Sequence, residues 1–202
     1  MATDYDNEVQ KLYVAYFSRP ADVAGLDYWA NVLATDPSGY QKISASFAAS
    51  QEYRDTYAGM DNNAVVSAVY EHLFGRAAET AGVQYWANLL NQKAITIDNV
   101  VTQIAGGAQD SDKFAYQAKV AVAGAFTDRV DTPAEKAAYS GTAANKIAID
   151  YIASVHDIMT AAAGMDPGNI DMQIAKIMGN MSASDTAQVV GVADFNLPTV
   201  HG

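Results

Sequence analysis

The sequence predicts an all-α fold, a multi-helix domain built on two repeated helical-hairpin-plus-helix units with a further helical part behind them. Three observations predict it. Apolar residues recur at i, i+3, i+4, i+7 and i+8, the spacing that lines one face of a helix. A long motif returns after 57 residues. No window alternates at period two with enough Val, Ile or Thr to make a strand.

The repeat sets the elements in order. Val9–Leu33 and Val66–Leu90 share 12 of 25 positions without a gap, among them Tyr13/Tyr70, Arg19/Arg76, Gly25/Gly82 and Trp29/Trp86. In the first copy Val9, Leu12, Tyr13, Tyr16 and Phe17 form one helical face, and Val66, Val69, Tyr70, Leu73 and Phe74 repeat it. Arg19-Pro20-Ala21-Asp22 breaks the first helix, because proline lacks an N–H and the residue before it disfavours the helical region. Asp22 is the expected N-cap of a second helix bearing Leu26, Trp29 and Leu33, with Glu79 the weaker equivalent. A third helix carries Ile43 and Phe47 and breaks near Ser50; its counterpart is expected to start at Thr96 and to end at Gly106-Gly107.

The copies thus span about residues 4–58 and 61–110 inside a repeat region 1–112. Residues 113–193 read as helices packed on or beside the repeats, and 194–202 as a linker or tail. Within them Ala115–Val130 predicts a long helix. Thr132-Pro133-Ala134-Glu135 is a capping box with proline in the first turn. One helix is expected from Thr142 to about Thr160, and another after Asp166-Pro167.

Composition excludes several classes of function. Lys and Arg total 12 against 23 Asp and Glu, a net charge of −11, which disfavours nucleic acid as a partner. Cys is absent, removing disulfides, thiolate metal sites and cysteine nucleophiles. The longest apolar run, Val120–Phe126, is far short of a bilayer span, so no membrane insertion is expected. The acidic start, Met1–Gln10, is unlike a signal peptide.

Few residues invite chemistry. Arg19 and Arg76 sit at the helix breaks, each followed three residues later by an acid, and are expected to tie loop to helix, with anion or sugar binding as the alternative. Gly25 and Gly82 suggest closely approaching backbones. Trp29 and Trp86 share helical spacing with leucines and so read as core. Tyr28 and Tyr85 lie about 100° round the helix from them and are the candidates to face a polysaccharide. Asp110 and Asp112 are weak calcium candidates, without the spacing of an EF-hand. His72, His156 and His201 are scattered, and no nucleophile elbow, P-loop or dinucleotide turn is present, so no enzymatic activity and no required cofactor are expected.

The doubled pattern, Tyr13…Phe17-Ser18-Arg19-Pro20-Ala21-Asp22…Gly25-Leu26-Asp27-Tyr28-Trp29 and again from Tyr70 to Trp86, resembles a domain-of-unknown-function family of exported bacterial proteins. Ala118–Thr127 is similar to the stretch that follows such repeats. The pattern also looks like the N-terminal anchoring domain of a caulobacterial-type surface-layer protein. The resemblance implies type I secretion, a place in the surface layer, binding to the O-polysaccharide of lipopolysaccharide, lateral self-association and a link to calcium. The glycine- and aspartate-rich calcium nonapeptides of such proteins are not in this sequence. Two other readings remain open: a helical protein–protein module of a secreted adhesin or toxin, and a glycan-active enzyme.

Overall fold

The computed structural model describes residues 4–179. The tail expected over 194–202, the segment 180–193 and His201 lie outside the described residues. Among the described residues there are twelve helices and no strands.

The first copy consists of α1 (Asp4–Phe17), α2 (Val23–Thr35), α3 (Gly39–Ala49) and α4 (Gln51–Tyr57). The second consists of α5 (Asn62–Phe74), α6 (Thr80–Asn91), α7 (Val100–Gly106) and the first turns of α8 (Asp110–Arg129). Both hairpins turn at a left-handed residue: φ is 55° at Ser18 and 69° at Gly75, which stand 57 residues apart. The second loop has no proline, so the turn is set by these residues and not by Pro20 alone. Asp22 caps α2 as expected, accepting from the Gly25 N–H at 2.8 Å, while Glu79 caps α6 without a side-chain bond.

Two boundaries differ from the sequence expectation inside the repeats. The chain does not merely break at Ser50; that residue caps a fourth helix, its hydroxyl accepting from the Tyr53 N–H. The third helix of copy two begins at Val100 and not at Thr96. A turn intervenes, closed by Thr96 N–H on the Asn99 side chain (3.0 Å) and by Asn99 N–H on the Thr96 carbonyl (3.1 Å).

α8 leads into α9 (Pro133–Ala138), α10 (Gly141–Ala153), α11 (Ile158–Gly164) and α12 (Pro167–Gly179). The capping box at Thr132 and Glu135 forms as read from the sequence. The single helix expected over Thr142–Thr160 is two helices. Asp157 and Thr160 make a second capping box, and the Ser154 hydroxyl bonds the Tyr151 carbonyl, so local side-chain bonds outcompete a continued helical ladder.

The core sits around α1. From Leu12 to Phe17 every side chain of α1 is buried, because α2, α3, α7 and α8 enclose it. The apolar face read from the sequence is therefore only part of what it buries. α5, the same helix in copy two, keeps Ser67 and Glu71 exposed and buries one side. Tyr13, Tyr16, Phe17, Trp29 and Phe47 form an aromatic centre, with Phe47 4.7–5.8 Å from each of the other four rings. Smaller clusters join α8 to α10 and α12 through Phe126, Ala148, Ile170 and Ile174, and α1 to α8 and α10 through Val14, Val122 and Ile152.

Candidate functional site

The repeated residues build the same node twice. At the end of the first hairpin helix, the Arg19 guanidinium lies 5.4 Å from the Tyr13 ring; Arg76 lies 5.4 Å from Tyr70. Each donates to the next carbonyl, Pro20 or Ala77, at 3.1 and 2.9 Å. Each also forms a two-point pair with a carboxylate on the first turn of the fourth helix. Arg19 holds Glu52 at 2.9 and 3.1 Å, and Arg76 holds Asp112 at 2.7 Å through both nitrogens. The acid three residues on serves as a partner only in copy two, where Arg76 reaches Glu79 at 2.7 Å; Asp22 is occupied with its cap. The main carboxylate was invisible to local spacing because it lies 33 or 36 residues away.

The two glycines serve the tyrosines. A Cβ on Gly25 would stand 2.1 Å from the Tyr13 hydroxyl, and one on Gly82 3.1 Å from that of Tyr70. The space is thus filled by a phenol and not, as the sequence suggested, by a second backbone.

The candidate sugar-facing residues do not converge. Arg19 is 1% exposed, so its nitrogens face only protein. Burial opposes its charge, but the attraction and hydrogen bonds of Glu52 outweigh that and raise its pKa. Arg76 stays half-exposed, its pKa raised chiefly by the hydrogen bonds to Asp112. Tyr85 is 59% exposed, whereas Tyr28 is half-buried. Each stands edge-on to the following tryptophan at 4.7 or 5.0 Å. Trp29 is buried and Trp86 half-buried, with its indole N–H on the Tyr70 hydroxyl at 3.3 Å.

Of the calcium candidates, Asp112 is engaged by Arg76, and Asp110 opens α8 at a left-handed φ of 43°. Among the described residues no three His, Asp or Glu side chains gather as a metal site. No described helix is long and apolar enough to cross a membrane.

An open cleft that the motif reading missed lies where the copies meet. Tyr40 of α3, Glu8 and Lys11 of α1, Thr102 of α7, and Lys113 and Gln117 of α8 surround about 300 Å³, with the ring of Tyr116 also in the wall. Glu8 and Lys11 pair at 2.6 Å. Tyr116 donates to the Lys11 carbonyl at 2.7 Å. The phenol of Tyr40, 43% exposed, is raised in pKa by burial and by the nearby Glu8. No linear spacing could have announced the cleft, since its walls come from four helices.

Compared with known families, residues 44–114 match the model of a domain of unknown function, DUF4214. No curated protein and no solved structure matches the chain. The matched segment, about a third of the chain, runs from α3 into α8 and takes in the whole second node: Tyr70, Arg76, Gly82, Trp86 and Asp112. Over that segment the chain is similar to a domain family of unknown function, and its other nodal residues, Tyr13 to Trp29, repeat the same pattern outside it.

Proposed function

We propose that this chain is a non-catalytic anchoring domain of a secreted surface-layer protein, holding it to the O-polysaccharide of lipopolysaccharide and associating laterally with its copies. The observation that carries the reading is the cleft at the junction of the repeats. It offers an aromatic ring, an amide, a carboxylate and an ammonium group around a volume at the small end of ligand pockets. The duplicated motif residues are spent on the scaffold, which leaves the two copies as a rigid frame for that cleft.

Charge restricts how such a domain would attach. At −11 it repels the phosphates of the lipopolysaccharide core within about a Debye length, about 10 Å at 0.1 M salt. Attraction must come from the sugar chain or through bridging calcium. A pull-down on smooth and rough lipopolysaccharide tests this. Retention on the smooth form, weakened by chelator and persisting at moderate salt, is expected; equal retention on both forms, or none, would reject it.

A second reading, a helical docking module of a secreted adhesin or toxin, is favoured by one surface. Ile158, Met159, Met165 and Met172, on and around α11 and α12, are all strongly exposed, and methionine-rich surfaces adapt to protein partners. A glycan array separates the two readings.

A further inference from the structure

The cleft has a smaller counterpart that the duplication generates. Tyr40 and Ala105 line the first; Ile97 and Ala48, each 57 residues away, line the second, a space of about 200 Å³ beside α4. Each contains one basic residue from the fourth helix of a copy, Lys113 in the larger and Arg54 in the smaller.

Those two basic residues are unusual in this chain. All twelve Lys and Arg fall among the described residues, and eight of them donate to a carboxylate, a carbonyl or an amide oxygen. Lys113 and Arg54 are among the four that have no such partner among the described residues, in a protein with nearly twice as many acids as bases. In the larger cleft Lys11 is neutralised by Glu8, so Lys113 leaves a local surplus of one positive charge. The Gln117 amide and the Tyr40 hydroxyl also have no hydrogen-bond partner among the described residues.

We propose that the larger cleft binds one acidic sugar residue of a surface glycan, its carboxylate on Lys113, its C–H face on the Tyr40 ring and its hydroxyls on Gln117 and Glu8. This rests on the glycan-binding reading and narrows it to a sugar class and a site. The smaller cleft has the cation but carries Ile97 where the ring would be, and its Tyr57 is buried, so it lacks the stacking surface. Of the two clefts only the larger is therefore such a site.

Titration calorimetry of the full chain with trigalacturonate, its neutral methyl ester and inorganic phosphate tests the assignment. The acidic trimer binds with a stoichiometry of one, at least tenfold tighter than the ester, and phosphate does not compete. Lys113→Met costs the acidic trimer about tenfold and leaves the ester unchanged, while Tyr40→Ala weakens both and Arg54→Met neither. Both altered residues in the cleft are exposed, and an unchanged Tm verifies that the variants fold. Equal affinity for trimer and ester, equal binding of phosphate, or an unaffected Lys113→Met overturns the proposal. Retention on smooth lipopolysaccharide without trimer binding overturns the acidic-sugar site alone; loss of both removes the glycan reading with it.

Discussion

Arg19 and Arg76 occupy the same place in two copies of one motif, with the same ring beneath them and a carboxylate across from them. Around Arg19, however, α8 and α9 have closed. The Tyr139 hydroxyl donates to the Pro20 carbonyl at 2.7 Å. Gln10 accepts from the Ala21 N–H at 3.0 Å and donates to the Thr127 hydroxyl at 2.8 Å, and Thr127 donates to the Ala21 carbonyl at 2.7 Å. Ser67 stands at the place of Gln10 in copy two and bonds only the Asn63 carbonyl of its own helix. Arg76 remains 35% exposed. The same local chemistry is therefore interior in one copy and surface in the other, and its energetic weight should differ accordingly.

The widest separation should come from the arginines themselves. Arg19→Met removes a guanidinium that is itself buried and strands Glu52 at the edge of the core, and should cost about 3 kcal/mol, whereas Arg76→Met should cost no more than about 1 kcal/mol, because water reaches the Arg76 guanidinium and screens its pairs. Urea unfolding of both variants measures the gap. Equal losses would erase the distinction between the copies.

The long helix that completes copy two carries a second contrast. Lys119 is buried, donates to the His72 carbonyl at 2.7 Å, and has its pKa pushed down to about 8 by burial. Because the folded state releases this proton first, the unfolded chain binds more protons between pH 8 and the ordinary lysine range. Stability should therefore rise with pH at the start of that range, by about 1 kcal/mol between pH 8 and 9. Above about pH 9 the sign reverses: Tyr13, Tyr16, Tyr53, Tyr57, Tyr116 and Tyr139 are held protonated by burial while the unfolded chain ionises, and six such groups outweigh one lysine. A urea midpoint that climbs from pH 8 to about pH 9 and then falls is expected, and Lys119→Met should flatten the climb. A flat wild-type profile would show that the ammonium is not desolvated.

Smaller effects should follow the glycines and the caps. Gly25→Ala meets the Tyr13 hydroxyl and should cost about 2 kcal/mol, partly restored by Tyr13→Phe, while Gly82→Ala should stay within about 0.5 kcal/mol as helix propensity offsets a milder contact. Asp22→Ala removes a bonded cap and should cost about 1 kcal/mol; Glu79→Ala, with no cap bond to lose, a few tenths. Thermal midpoints of the four variants rank them. A Gly82→Ala loss as large as that of Gly25→Ala would mean that the open copy is packed as tightly as the closed one.

What the sequence revealed was local. The hairpins, the Asp22 cap and the box at Thr132 follow from spacing and from side chains that bond within a turn. Thr142–Thr160 reads as one helix in the sequence because Ile147, Tyr151 and Val155 keep helical spacing across a stop made by Ser154, Asp157 and Thr160. The partners Glu52 and Asp112 stayed hidden because chain separation, not periodicity, decides which carboxylate meets a guanidinium. Burial on all sides of α1 was likewise unreadable, since it depends on α7 and α8 arriving from elsewhere in the sequence. The cleft shares that origin: Tyr40 and Lys113 become neighbours only once both copies are assembled.

The bonds from Gln10 to Thr127 and from Tyr139 to Pro20 span 117 and 119 residues. During synthesis the first hairpin therefore leaves the ribosome long before the groups that satisfy its loop exist, and its backbone at Pro20 and Ala21 must stay hydrated until α8 and α9 emerge. The earliest-made part of the chain is among the last to be sealed. A nascent protein whose emerged part ends near residue 112 would present both hairpins before α8 has covered them, the first lacking in addition the groups from α9 that seal its loop.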